Sequence, residues 1–441
     1  MAKERPPRKH LGVDALYRQI YQVFQNVPDY RGKDSPALAD ALMSGFAVFA
    51  LKDPSLLAFD QRRQQDAKNL EMIFHIGHVP CDTQMRETLD PVTPEELRPG
   101  FRNIFAELAH GKVLEKMVFL DDCYLLALDG TECFSSAQVH CDHCMHKKLS
   151  NGEVVYHHAM LGAALVCPGR REVIPLMPEP ILNGDGQEKN DCERNALQRW
   201  LRKFRLDHPH LRVIATLDAL YANAPVINDL RLAFVPWIIR VKEDAHVFLF
   251  EQFWEQVAAG RVEDFALLGE DGVHRHYRLA WGLPLNESHP EVRVDFLEVS
   301  EMGAAGEQRR TWIIDPQLRL SRARAERLMW GGRSRWKVEN ETFNTLKNQG
   351  YHLEHNYGHG QQNLSVVLVM LMMLAFLVDQ TSQLCSSLFG AAWEKCGSKR
   401  ALWEGMREIF HRFRVSSMQE IYEALLHGHE KPPLQVSCDS S

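Results

Sequence analysis

Two short apolar runs, each closed by an aspartate, constrain the fold more than any other feature of this sequence. Tyr124-Leu125-Leu126-Ala127-Leu128 ends on Asp129, and Val213-Ile214-Ala215-Thr216-Leu217 ends on Asp218. Runs of this length with almost no polar interruption read as buried strands, which need helices to cover them. The fold class is therefore α/β. An aspartate at a strand end is commonly a turn cap and nothing more. Two of them gain meaning if a third acid can join them.

That acid is Glu339, in the run Arg335-Trp336-Lys337-Val338-Glu339-Asn340-Glu341, followed by Phe343, Leu346, Lys347 and Tyr351. Taken alone, Glu339 reads as a helix residue paired with Arg335 one turn earlier. Two strand-end aspartates and one glutamate on a late helix can converge to hold divalent ions. Oxygen ligands suit Mg²⁺, or Mn²⁺ in its place. Two such ions can activate an attacking oxygen and stabilise a leaving oxygen at a phosphodiester.

The rest of the chain organises around these acids. Residues 1–115 read as a helical N-terminal domain. Ser35-Pro36 is a helix start followed by Leu38, Leu42, Phe46 and Phe49 at helical spacing, and Thr93-Pro94-Glu95-Glu96 has the form of a capping box. From 116 to 242 the pattern changes to strands at Tyr124–Asp129, Val154–Val166 and Glu172–Ile181. A helix over Asn190–Arg205 follows, with Ala196, Leu197, Trp200, Leu201 and Phe204 on one face. A strand at Arg212–Leu217, a short helix at Pro225–Leu230 and a strand at Val235–Val241 complete this part. Residues 243–318 read as a β-rich insertion, with strand-like pieces at Ala245–Phe250, Arg275–Trp281, Val292–Val299 and Arg310–Ile314. The Glu339 helix lies in 319–385, and 386–441 is a helical C-terminal segment.

With its acids in this order and spacing, the chain resembles the DDE transposases of bacterial insertion sequences, from about residue 30 to 385. The resemblance rests on Leu128-Asp129-Gly130-Thr131, on Leu217-Asp218-Ala219-Leu220-Tyr221, and on the run from Arg335 to Lys347. That run is similar to the family's Tyr-x2-Arg-x3-Glu-x6-Lys signature. The resemblance implies a ribonuclease-H-like core, a mixed five-stranded sheet of order βββαβαβ flanked by helices and interrupted by the β-rich insertion. It also implies catalytic, metal-binding roles for Asp129, Asp218 and Glu339. Arg335, Lys347 and the neighbouring Arg333 would contact DNA. Trp312 or Trp281 in the insertion would stack an unpaired base at a cleaved end, with a core tryptophan as the plain alternative. The implied partners are transposon-end and target duplexes, bound by a homodimer, with an N-terminal region that contacts the ends. The implied location is the cytoplasm of a prokaryote, at the nucleoid.

Two positions depart from the signature. Gly332 stands where it has Tyr, and Lys347 lies eight residues after Glu339 rather than seven. At about 100° per residue, a regular helix would carry Lys347 about 80° off the face of Glu339, whereas an irregular turn would restore it.

Bulk properties set limits. The net charge of −7 excludes a nonspecific nucleic-acid coat. The segment from Arg319 to Lys347 nevertheless holds eight Lys/Arg against three Asp/Glu, a local basic surface or a solvated helix face. The charged stretch Met1–His10 precedes no apolar run, so no secretory signal is expected. The apolar run Val366–Val378 is 13 residues, short of a bilayer span and suited to a buried core helix; no membrane is expected. Ten cysteines without a secretory signal indicate a reducing compartment. Most sit singly in apolar settings. Cys141 and Cys144 differ, since a Cys-x2-Cys among His140, His143 and His146 has zinc-ligand spacing. A structural Zn²⁺ there would borrow Cys133 or a histidine; a polar loop is the alternative. His352, His355 and His359 form no HExxH motif, which argues against a zinc hydrolase. The remaining readings are a DNA strand transferase, a nuclease of the same core that cuts without joining, and an inactive domesticated DNA-binding protein.

Overall fold

The computed structural model describes residues 9–29, 31–32, 37–183, 189–303 and 306–428. The chain is mixed α/β, built on one open twelve-stranded sheet. Its strands are β1 (Val118–Leu120), β2 (Cys123–Ser136), β3 (Met145–Lys148), β4 (Val154–Val166), β5 (Ile174–Pro175) and β6 (Glu179–Ile181). They continue with β7 (Val213–Leu217), β8 (Trp237–Val241), β9 (Glu263–Leu268), β10 (His274–Pro284), β11 (Arg293–Gly303) and β12 (Gly306–Ile314). The order is β3-β4-β2-β7-β8-β12-β11-β10-β9, with β1 on β2, and β5 and β6 on β4.

β2 is antiparallel to β4 and parallel to β7, and β7 is parallel to β8. Parallel strands must be covered on both faces, and every residue of β7 is buried. The 243–318 stretch does not form a separate body. β12 pairs with β8, so β9 to β12 prolong the same sheet, and a five-stranded sheet with a detached insertion does not describe it. Ala245–Phe250 is not a strand either: Val247–Ala258 is a helix that buries Leu249, Phe250 and Phe253, a helical spacing. The expected Glu172–Ile181 strand is broken into β5 and β6, with Pro175, Pro178 and Pro180 removing backbone donors.

The N-terminal part is helical. The Ser35-Pro36 helix start lies outside the described residues, but the helix it would open, Leu38–Ala50, buries Leu38, Leu42, Phe46 and Phe49. The Thr93 capping box is not made. Pro94–Leu97 is a 3-10 turn in which the Glu96 N–H donates to the Thr93 carbonyl at 3.0 Å, leaving no free donor for the Thr93 hydroxyl.

The apolar run ending at Val378 belongs to a 22-residue helix, Leu364–Cys385, long and apolar enough to cross a membrane but 94% buried within the fold over its most apolar stretch. It packs against Leu38–Ala50 and β5. Its buried Asp379 accepts from Lys52 Nζ at 2.6 Å and from the Tyr351 hydroxyl, which fixes the helix end to two other segments. The C-terminal helices close over the N-terminal ones: Asn69 Nδ2 donates to the Phe410 carbonyl at 2.6 Å, and Asp14 accepts from Met418 N at 2.7 Å.

Candidate functional site: an acidic cleft and a thiol–imidazole cluster

Register places the first two acids side by side. Ala127 pairs with Thr216 across the parallel strands β2 and β7, and each acid lies two residues further on, at the same face. In open α/β sheets this carboxyl end of parallel strands is where a crevice forms. Asp218 caps the turn after β7, accepting from Leu220 N at 2.9 Å.

Glu339 arrives from a helical segment whose approach depends on glycines. A Cβ on Gly331 would lie 2.8 Å from the Phe119 ring, and one on Gly332 would lie 2.4 Å from Trp312 Nε1. The Arg322–Arg333 helix therefore lies close on the sheet, and no tyrosine fits at 332. After a turn at Ser334, Val338–Phe343 forms a π-helical stretch, in which Asn344 N donates to the Glu339 carbonyl. Phe343 rests on Gly162 of β4, where a Cβ would sit 2.6 Å from the ring. Gly162 is the pairing partner of Asp129, so the contact that seats the helix also brings Glu339 beside Asp129.

Arg335 Nη1 spans the two carboxylates, at 3.0 Å from Asp129 Oδ2 and 2.6 Å from Glu339 Oε1. Burial pushes the Asp129 carboxyl up, to about 8; its hydrogen bond to Glu339 and the nearby Asp218 add to this, while Arg335 opposes it. For Glu339 burial also acts upward, but hydrogen bonds with Asp129 and Arg335 outweigh it and hold it below its ordinary value. The two carboxyls shift in opposite directions, Asp129 up and Glu339 down, as expected of a pair close enough to share one proton.

A fourth carboxylate escaped sequence reasoning. Glu193, 6% exposed, lies on the Lys189–Asp207 helix, and a Cβ on Gly130 would be 2.6 Å from its Oε1. The Tyr221 hydroxyl donates to it at 3.4 Å. Burial raises Tyr221 well above its ordinary pKa, and Glu193, Asp129 and Asp218 add to the effect. The signal was present: Glu193 falls on the same helical stripe as Ala196, Leu197 and Trp200, a charge where the pattern is apolar. A cleft of about 540 Å³ opens beside the Asp218 turn, lined in part by Arg194, Asn223, Lys242 and His246.

Other residues sit elsewhere than expected. Trp312 is 1% exposed and packed under Gly332, so it is a core ring and cannot stack a base. Trp281 is partly exposed, with Nε1 donating to the Leu320 carbonyl at 3.0 Å. Arg333 is engaged by Glu301 at 3.2 Å. Lys347 pairs with Glu354 at 3.1 Å. The extra residue of the π-helical stretch removes about 100° of rotation, so the eight-residue interval from Glu339 behaves as seven would on a regular helix. Lys337 donates to the Arg170 carbonyl and Arg324 pairs with Asp121 at 2.7 Å. The basic segment is thus held largely by the protein's own acceptors rather than forming a free cationic face.

The second cluster lies further along the same strands. Cys141 and Cys144 come from the loop between β2 and β3, His158 from β4, and His359 from the loop before the Leu364–Cys385 helix. Their ligand atoms all lie within 4.8 Å of one another, and they can hold a metal ion. Among the described residues this is the one group of three or more such donors at that spacing; the acids of the cleft are more widely spread. Cys133 is not part of it: it is buried within β2, its thiol pushed up to about 12 by that burial. His140 stacks on Tyr156 at 4.2 Å and serves as no ligand. His158 faces the cluster because it pairs with Cys133 across β2 and β4, a register that spacing alone does not reveal. Comparison with protein-family models and with curated proteins found no match for this sequence.

Proposed function

We propose that this chain is a divalent-metal-dependent DNA strand transferase of the DDE transposase type, with a ribonuclease-H-like core. The observation that carries the reading is that Asp129 and Asp218 stand in register at the carboxyl end of two parallel strands while Arg335 bridges Asp129 to Glu339. The stretch β4-β2-β7-β8, with β5 and β6 on the outer side of β4, supports such a core: antiparallel pairings followed by two parallel ones.

The donor set fits hard cations. Crowded carboxylates, one of them raised in pKa by burial and further by its anionic neighbours, favour Mg²⁺ or Mn²⁺ with water filling the remaining positions. Asp129, Asp218 and Glu339 would hold these ions, with Glu193 close behind. When bound, the ions supply an activated attacking oxygen and stabilise the leaving oxygen. Arg335, which lies between Asp129 and Glu339, would be placed to take a phosphate oxygen where those carboxylates hold cations instead. The cleft beside Asp218, with Arg194 and Lys242, offers a path for the strand. The thiol–imidazole cluster, whose soft donors suit Zn²⁺, takes no part in the transfer.

The test is a strand-transfer assay on duplexes carrying the sequences that flank the gene, with a labelled 3′-OH end and Mg²⁺ or Mn²⁺. Joined product that disappears in Asp129→Asn and Glu339→Gln is expected, along with a dimer on the paired ends. Cleavage without joining identifies a nuclease of the same core. Binding without either reaction identifies an inactive DNA-binding protein.

A further inference from the structure

We infer that Cys141, Cys144, His158 and His359 form a closed, four-ligand zinc site that clamps the β2–β3 loop and β4 to the loop following the Glu339 segment. Five of the six edges lie near those of a tetrahedron around one ion, and the sixth, between Cys141 Sγ and His359 Nδ1, lies within 4.8 Å. Cys141 Sγ lies 3.7 Å from Cys144 Sγ and 3.5 Å from His158 Nε2; Cys144 Sγ lies 3.6 Å from His158 Nε2 and 3.1 Å from His359 Nδ1. His158 Nε2 and His359 Nδ1 are 3.2 Å apart. Zinc bonds of about 2.3 Å to sulfur and 2.0 Å to nitrogen give tetrahedral edges of roughly 3.3 to 3.8 Å. Two thiols and two imidazole nitrogens gathered this closely from three separate segments make a donor set that a cation satisfies.

The surroundings are built to hold this geometry. Cys144, His158 and His359 are each at most 9% exposed. The Cys-x2-Cys loop is a tight turn, with Cys144 N donating to the Cys141 carbonyl at 3.1 Å and Cys141 N directed at Cys144 Sγ at 3.4 Å. His359 lies between Gly358 and Gly360, both at positive φ, and a Cβ on Gly360 would lie 2.2 Å from Asp90 Oδ1. Asp90 in turn accepts from the backbone N–H groups of Gln361, Gln362, Asn363 and Leu364, at 2.8 to 3.1 Å. The backbone just after the histidine is thereby fixed to Asp90. A second tie runs alongside, Phe134 N to the Leu353 carbonyl at 3.1 Å.

Four protein ligands leave no open position, which is the mark of a structural rather than a hydrolytic zinc. Binding releases the two thiol protons, and Zn²⁺ with two thiolates and two neutral imidazoles leaves no net charge in a buried place. The site joins residues more than 200 positions apart, on the loop after β2 and on β4, the strand paired with Asp129, and on the chain that leaves Glu339. It does not depend on the strand-transfer reading.

The full chain, purified without a metal-binding tag, should carry about one zinc per molecule by elemental analysis, as a single four-ligand site requires. After removal of the metal by a chelator, Co²⁺ titration should give thiolate-to-cobalt charge-transfer absorption that saturates at one equivalent. Cys141→Ser/Cys144→Ser should lose the metal and the band. His359→Ala should weaken affinity by more than about 100-fold, beyond the effect of removing an outer-shell partner. Cys133→Ser should leave zinc content unchanged. Absence of zinc together with no charge-transfer band in the stripped wild-type protein overturns the proposal, as does full metal content in the double serine variant. If that variant does not fold, the wild-type titration and His359→Ala decide. Zinc binding without strand transfer would sink the preceding reading and leave this one standing.

Discussion

The acidic cleft and the thiol–imidazole cluster share strands β2 and β4, yet they differ in almost every physical respect. The cleft holds oxygen donors that remain partly open, with the Glu339 side chain 46% exposed and Arg335 lying across it as a resident cation. The cluster is closed, soft in its donors and already at the spacing of one ion. An open site with spread ligands can exchange water and substrate around its ions. A filled tetrahedron cannot, and can only hold parts of the chain together. One strand pair thus carries a place for chemistry and a place for mechanical support, about four residues or roughly 13 Å apart along β4, from Gly162 to His158.

The comparison is broken most directly by removing the charge that defines the cleft. Asp129→Asn should lower strand transfer by about 10³-fold or more, since a metal-ligating carboxylate contributes several kcal/mol, while zinc content stays at wild-type level. Loss of zinc in that variant would show that the two centres are one unit. Next in size is the reciprocal change. Cys141→Ser/Cys144→Ser, or chelation of the wild type, should cost about 4 kcal/mol of stability, the linkage expected for zinc at a thousand times its dissociation constant. Denaturant unfolding measures this, and an unchanged midpoint would reduce the cluster to a polar loop.

Gly162→Ala probes the seat of the Glu339 segment. Its methyl group would meet the Phe343 ring, so about 1–3 kcal/mol of destabilisation is expected from overpacking, with weaker Mn²⁺ binding and unaltered zinc. Equal Mn²⁺ affinity in the variant would mean that Phe343 does not position Glu339.

A smaller effect separates the centres by pH. Because the folded-state value of Asp129 is raised to about 8 from 3.8, its contribution to stability is fully present at low pH and is lost as pH rises through that interval. Melting temperature without Mg²⁺ should therefore fall between these values, and the fall should flatten in Asp129→Asn or with Mg²⁺ added. A slope identical in wild type and Asp129→Asn would place the proton elsewhere. The smallest change is expected at Arg335. Arg335→Ala should lower the salt slope of DNA binding by about one unit and weaken transfer, with little change in folding. An unchanged slope would leave Arg335 as a partner of the carboxylates alone.

How much of this was legible depends on the range of the interaction concerned. Buried strands announce themselves locally, and Val154–Val166 and the β7 run stand where the apolar pattern puts them. The helix at Val247–Ala258 was misread because a short apolar run there has no decisive period. Trp312 looked available because sequence shows a ring but not the glycine-faced helix that covers it. Lys347 exposed a conflict of spacing that only the π-helical stretch of Val338–Phe343 resolves, and backbone hydrogen-bond register of that kind is a tertiary outcome.

By itself the sequence determined the class of the fold, the three acids and the Cys-x2-Cys, because residue type and near-neighbour spacing are what local physics reads. Tertiary structure alone decided that Asp129 and Asp218 stand in register and that Gly162 lets Phe343 bring Glu339 to them. It also decided that Glu193 joins their border, and that His158 and His359 complete the thiol pair from positions 14 and 215 residues away from Cys144. Those partners are fixed by strand pairing and by the packing of distant segments, which no local pattern of side chains encodes.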